Sequence, residues 1–156
     1  MTGMAEPIIE DSIDVNASPE AVWSVISDLK RMGEWSPQCK KMVVLGGDVR
    51  QGARTVNLNR RGPLFWPTSA KVVTFDPNRE IAFRIAENHT VWSYRIDQTE
   101  GGVRVTETRT AKDGKTTAVS AFLVDKVFGG NDSFEDELRE GIRETLGKIK
   151  RAAESV

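Results

Sequence analysis

The side chains best equipped for chemistry in this sequence are Tyr94, Glu107 and Arg109, with His89 in a turn nearby. Residues 103–111, VRVTETRTA, alternate so that Val103, Val105, Glu107 and Arg109 share one face and Arg104, Thr106, Thr108 and Thr110 the other. If the two valines face a core, period two carries Glu107 and Arg109 inward with them. A buried charge is costly unless paired. The alternative is a bulge, or a strand that runs out of the sheet and turns both residues to solvent. Facing inward, the two could anchor a ligand carboxylate or carbonyl, and a Glu107 carboxyl with a raised pKa could serve as general acid or base. Tyr94 could donate a phenolic hydrogen bond to an enolate. His89 has the one unperturbed pKa near neutral, but it stands in the turn Glu87-Asn88-His89, where a lone histidine is most often exposed and idle.

Other chemistries lack their residues. There is no Ser/His/Asp pattern, phosphate loop or dinucleotide fingerprint. One histidine and one cysteine, Cys39, leave too few ligands for a His/Cys metal site, and no carboxylate motif replaces them. No metal and no cofactor are expected. Cys39 reads as a plain strand residue, and a single cysteine excludes an intrachain disulfide.

The elements that must position these groups follow from periodicity. Pro7 to Val15 alternates as a first strand. Ser18-Pro19 then opens a helix, with Ser18 as N-cap, Pro19 at the first helical position, and Val22, Val25, Ile26 and Leu29 on the buried side. Asp28 to Trp35 reads as a second short helix broken at Gly33. Strands follow at Lys41–Leu45, Arg54–Arg60 (Val56 and Leu58 sharing a face), Trp66–Phe75, Glu80–Ile85 (Ile81, Phe83 and Ile85), Thr90–Asp97 (Trp92, Tyr94 and Ile96) and Val103–Ala111. Gly46-Gly47, Gly62-Pro63 and Glu100-Gly101-Gly102 supply turns. Thr116 to Phe128 is apolar and uneven; it reads as a helical lead-in that covers a cavity mouth, or as an ordinary packed helix.

Ser133 to Ala153 closes the chain as one amphipathic helix. Phe134, Leu138, Ile142, Thr145, Leu146, Ile149 and Ala153 recur at three- and four-residue steps. Asn131, Asp132 and Ser133 are candidate caps, and Ser133 with Asp136 approximates a capping box. Glu135 falls among the charged residues mostly outside the apolar stripe. Gly141 at the stripe's edge implies close packing. Six apolar side chains make this face worth roughly 10 kcal/mol as an upper bound, so it needs a partner, and the strands supply a curved sheet.

The 156 residues carry a net charge of −1, with 38% apolar and 29% charged side chains mixed along the chain. Lys and Arg do not cluster as a nucleic-acid or anionic-membrane footprint requires. No run of about 18 apolar residues exists to span a membrane. The opening MTGMAEP has neither a basic stretch nor an apolar one, so no signal peptide is read and a cytoplasmic location is expected.

One order of elements, with Ser18-Pro19-Glu20-Ala21-Val22-Trp23, Glu34-Trp35-Ser36-Pro37, Arg60-Arg61-Gly62-Pro63 before Trp66, Trp92-x-Tyr94, Gly101 through Glu107 and Glu140 through Leu146, resembles the polyketide cyclase/dehydrase-like group of the START superfamily, the SRPBCC type. The resemblance covers about residues 7–153 and rests mostly on packing and turn residues. It implies an α+β helix-grip fold: a curved antiparallel sheet of about seven strands wrapped around a long C-terminal helix, with two short helices after strand 1. It also implies one START/SRPBCC-like domain over residues 1–156, with a hydrophobic cavity between sheet and helix. Trp35, Trp66, Phe83, Trp92, Tyr94, Glu107, Arg109, Leu138 and Ile142 are the expected ligand contacts, Trp35 and Trp66 as rim residues at segment ends. The expected partner is a hydrophobic small molecule such as a lipid or polyketide, bound by a monomer or homodimer. Two other readings stand beside it: a cyclase or dehydratase in which Glu107, Tyr94 and His89 converge on substrate, and a protein–protein module of the stress or toxin–antitoxin type.

Overall fold

The structure is a computed structural model; it describes residues 8–111 and 131–156, residues 131–134 by their backbone alone. Seven strands form one antiparallel sheet: β1 (Ile8–Val15), β2 (Cys39–Val44), β3 (Arg54–Arg61), β4 (Leu64–Asp76), β5 (Glu80–Ile85), β6 (Val91–Thr99) and β7 (Gly102–Thr110), in the order β1-β7-β6-β5-β4-β3-β2. Strands β2 to β7 meander through hairpins, and β1 closes onto β7. Register shifts at Cys39/Lys41 on β2 and at Val72/Thr74 on β4 add the bulges that bend such a sheet.

Between β1 and β2 the chain makes α1 (Pro19–Ile26), a 3-10 turn (Leu29–Arg31) and one turn of helix, α2 (Met32–Trp35). Ser18 caps α1 as its type predicts, its Oγ accepting from the Ala21 N–H at 3.1 Å. Gly33 does not break α2, contrary to the sequence reading; the helix runs through it. A Cβ there would lie 2.2 Å from the Lys40 carbonyl oxygen, so the glycine is what lets the start of β2 lie against the helix.

The long helix α3 (Asn131–Glu154) packs along β1 and α1, with α2 beside it. Ile142, Leu146, Ile149 and Ala153 meet Val22, Val25, Ile26 and Leu29 and the inner residues Ile9, Val15, Val103 and Val105 in one core. Gly141 does mark a close approach: a Cβ would stand 3.2 Å from Pro37 Cγ. Nothing in the structure explains Gly147. The far end of α3 is pinned where Glu154 Oε2 accepts from the Asn16 N–H at 2.8 Å and from Lys150 Nζ at 2.6 Å. The caps expected at Asn131, Asp132 and Ser133, the burial of Phe134, and the segment 116–128 lie outside what is described.

On β3 the alternation exists, but its apolar stripe faces solvent. Val56 is 46% and Leu58 41% exposed, whereas Thr55 and Asn57 are buried. Pairing with β4 sets this parity. Thr55 stands opposite buried Ala70, and Asn57 opposite Thr68. The polar atoms turned inward satisfy one another. Thr55 Oγ1 donates to Asn57 Oδ1 at 2.8 Å, while Asn57 Nδ2 and Asn59 Nδ2 donate to Thr68 Oγ1 at 3.1 and 2.9 Å. Such pairing removes most of the penalty of burying amides and hydroxyls.

Candidate binding site

The valine parity on β7 holds through residue 109. Val103, Val105, Glu107 and Arg109 are all buried on the inner face, with no bulge to rescue the charges. Register then dictates their neighbours. Glu107 lies opposite Tyr94 on β6 and Asp11 on β1; Arg109 lies opposite Trp92 and Ile9. Tyr94 in turn lies opposite Ile81, and Trp92 opposite Phe83. The inner wall at this level is therefore Phe83, Trp92, Tyr94, Ile81 and Ile96, with one carboxyl set among them.

Tyr94 donates its phenolic hydrogen to Glu107 Oε2 at 2.9 Å, and its hydroxyl lies 3.8 Å from Met32 Sδ. Glu107 is 2% exposed, and its Oε1 has no hydrogen-bond partner among the described residues. Burial pushes the Glu107 carboxyl up to about 8, against a weaker downward pull from the Tyr94 hydrogen bond. The group is a neutral carboxylic acid at neutral pH. Burial, reinforced by Glu107, raises the Tyr94 phenol well above its ordinary value, so it stays a donor. With the phenol donating to Oε2, the acid proton belongs on Oε1.

Arg109 is already engaged inside the protein. Its Nη2 sits 2.5 Å from Glu135 Oε2, a buried ion pair joining β7 to the first turns of α3. Glu135, assigned from the sequence to the polar side, is thus an interior residue because its partner is interior. His89 does not join Tyr94 and Glu107. It is exposed in the β5–β6 turn at φ 61°, with Nδ1 2.7 Å from Arg84 Nη2, and Arg84 alternates outward from Phe83 and Ile85. The three-residue convergence expected for a cyclase is absent for that reason. Cys39 is held as a thiol, its pKa pushed up to about 11 by burial.

Trp35 is core, not rim. It is 6% exposed, with the Arg31 guanidinium 4.6 Å over its ring, because the single turn of α2 packs against β2 and α3. Trp66, Trp92 and Leu138 are half-buried, and Phe83 and Ile142 are buried. An open cleft of about 680 Å³ lies elsewhere, between the β3–β4 hairpin, the loop after α2 and α3; Pro37, Lys40, Arg60, Arg61, Glu137 and Glu140 are among its lining residues. Arg61 spans it, donating to Glu137 at 2.6 and 2.5 Å. None of the expected ligand contacts lines this charged cleft. Among the described residues no group of three or more His, Cys, Asp or Glu is placed to hold a metal, and no helix is long and apolar enough to cross a membrane.

Comparison with known proteins agrees with this architecture. The family model described as polyketide cyclase / dehydrase and lipid transport matches residues 6–154. The Polyketide_cyc-like protein Cgl2372 of Corynebacterium glutamicum is 30% identical, over 92% of this chain and 89% of that one, with a TM-score of 0.59. The di-domain ARO/CYC protein StfQ of the steffimycin biosynthetic pathway is 15% identical, over 96% of this chain and 51% of its own, with a TM-score of 0.73. The AHSA1-like protein of Aeromonas hydrophila is 17% identical, over 95% and 92%, with a TM-score of 0.61. The latter two share the fold. Comparison with curated proteins gives no match. The sheet folded over a C-terminal helix, the two short helices after β1 and the match over nearly the whole chain lead to one assignment: the chain belongs to the polyketide cyclase/dehydrase and lipid-transport family, with the SRPBCC, START-like fold.

Proposed function

We propose that this protein binds a hydrophobic small molecule between the inner face of the sheet and α3, as a carrier or sensor. The observation that carries this reading is Glu107 Oε1: a carboxyl oxygen buried in an aromatic wall, its sister oxygen fixed by Tyr94, and no partner for it among the described residues. Buried polar atoms are nearly always paired, and a few convergent polar groups on apolar walls is the composition of a small-molecule site. Native mass spectrometry of the purified protein, with titration of fatty-acid, sterol and polyketide panels, tests the reading. A retained or titratable guest at one-to-one stoichiometry supports it; no binding across all three panels overturns it.

A second reading has its own observation. A carboxylic acid that keeps its proton up to about pH 8, hydrogen-bonded to a phenol, suits general acid catalysis of a cyclisation or dehydration. Turnover of a polyketide-like substrate that disappears in Glu107→Gln while binding persists distinguishes it from the carrier.

A further inference from the structure

The outer face of the sheet, away from the interior, is divided by charge. Lys41, Arg54, Arg60, Lys71 and Arg84 are scattered along the chain, and strand register gathers them on the outer face of β2–β5. Arg54 stands opposite Lys71, and Lys71 opposite Arg84, so three cations form a row across three strands. At the other end Lys41 lies opposite Leu58, and Arg60 opposite Phe65. Between these ends the rows are apolar, with Val43 opposite Val56 and Leu58 opposite Pro67. Val43, Leu45, Val56, Leu58 and Phe65 are 41% to 52% exposed. Contiguous exposed apolar side chains rimmed by charge mark an interaction surface. We propose that this face docks on an anionic lipid surface, with its cations against headgroup phosphates and its apolar rows in the interfacial layer.

Charge pairing says which partner fits. On the other half of the outer face the arginines have their acids: Arg95 Nε lies 3.0 Å from Asp97, and Arg104 Nε 2.9 Å from Asp14. On the β2–β5 half none of the five cations pairs with a carboxylate among the described residues. Arg60 donates to the Gly62 carbonyl and stands over the Phe65 ring, and Arg84 meets His89. Glu87, an acid that reaches this half, is taken up by the Ser69 N–H and hydroxyl. A chain of net charge −1 is not drawn to a negative surface as a whole, but an unpaired cation close to one is attracted. A second copy of the chain fits poorly, since stacking two such faces sets five cations against five more. Duplex nucleic acid would engage the cations and leave the apolar rows unmatched. Of these side chains only Arg60 lines the charged cleft. The face is the convex side of a sheet curved over α3, a raised stripe that a fluid headgroup layer can follow.

The test is co-sedimentation of the whole protein with two kinds of vesicle, phosphatidylcholine alone and phosphatidylcholine with about one third phosphatidylglycerol. Binding is expected to the mixed vesicles only, and to weaken about tenfold or more between roughly 0.1 and 0.5 M salt. Arg54→Gln with Lys71→Gln should weaken it by about tenfold or more. Arg95→Gln with Arg104→Gln removes the same charge from the paired half and should leave it within about twofold. Val56→Thr with Leu58→Thr keeps exposed strand residues, so the variant is expected to fold; it should bind about tenfold less tightly and keep the salt dependence. No binding to the mixed vesicles, equal binding to both kinds, or an equal loss from the Arg95 and Arg104 changes overturns the proposal. Duplex DNA bound as tightly as the mixed vesicles, or a stable dimer that dissociates in the Val56 and Leu58 variant, gives the face to another partner and also overturns it. Each of these outcomes leaves the interior binding reading standing, because every substituted side chain lies on the outer face.

Discussion

Arg109 and Glu135 form a buried ion pair, Nη2 to Oε2 at 2.5 Å, that ties the end of β7 to the beginning of α3. The pair lies at the opposite end of the helix from the Glu154–Asn16 hydrogen bond, so α3 is fastened to the sheet side at both ends. An acid in the first turns of a helix is also well placed with respect to the helix dipole. Removing one partner leaves the other charge buried alone. Arg109→Leu or Glu135→Leu is expected to destabilise by about 3 kcal/mol or more, and the double variant by less than either single change. Urea unfolding of the four proteins measures this directly.

Glu107 makes stability pH-dependent. The unfolded chain releases this proton near the ordinary value of 4.5, whereas the folded chain holds it to about 8. Unfolding between those values therefore releases a proton. The stabilisation is complete below 4.5 and is lost as pH rises through about 8. The groups around Glu107 do not reverse the sign. Tyr94 remains a neutral phenol, Asp11 across β1 reaches Arg143 at 3.2 Å, and Arg109 is held by Glu135. Denaturant unfolding at a series of pH values should show wild type losing stability relative to Glu107→Gln across this window, at up to about 1.4 kcal/mol per pH unit.

Two helical glycines should respond in opposite directions to alanine. At Gly33 the new Cβ would sit 2.2 Å from the Lys40 carbonyl oxygen, and backbone on both sides has little room to yield. Gly33→Ala should cost roughly 1–3 kcal/mol. At Gly147 the nearest atom is the mobile tip of Arg151 at 3.7 Å. Gly147→Ala should stabilise by up to about 1 kcal/mol through helix propensity alone. Thermal unfolding of both variants checks the contrast.

The inverted parity of β3 makes a further contrast. Asn57→Ala strips Thr55 and Thr68 of their shared partner inside the protein and is expected to cost about 1–3 kcal/mol. Val56→Thr, on the solvent side, should stay within about 0.5 kcal/mol of wild type. Were Val56 the core residue its apolar character suggests, the order in a denaturant titration would be reversed.

These contrasts mark where local pattern was informative and where it was not. The parity of Val103 and Val105 carried Glu107 and Arg109 to the inner face, and the Ser18-Pro19 start and the stripe on α3 were legible from spacing alone, because each depends on residues a few positions apart. Glu135 looked like surface because its burial depends on Arg109, 26 residues earlier and on another element. Which face of β3 turns inward was not legible from its alternation, because the pairing that buries Thr55 and Asn57 is made with β4 and their mutual hydrogen bonds are visible only once strands are aligned. Gly33 looked like a helix breaker because the Lys40 carbonyl it accommodates belongs to the next strand. His89 was separated from Tyr94 by the turn itself, whose positive φ directs the ring to Arg84.

Occupation of the interior is tested most directly by carboxyl-detected carbon NMR of the protein during titration with acetylnaphthalene. Binding at the Tyr94–Glu107 pair predicts a saturable shift of the Glu107 carboxyl carbon and of the Trp92 indole, with Glu137 and Glu140 of the charged cleft unmoved. A stationary Glu107 beside shifting Glu137 and Glu140 resonances would contradict it.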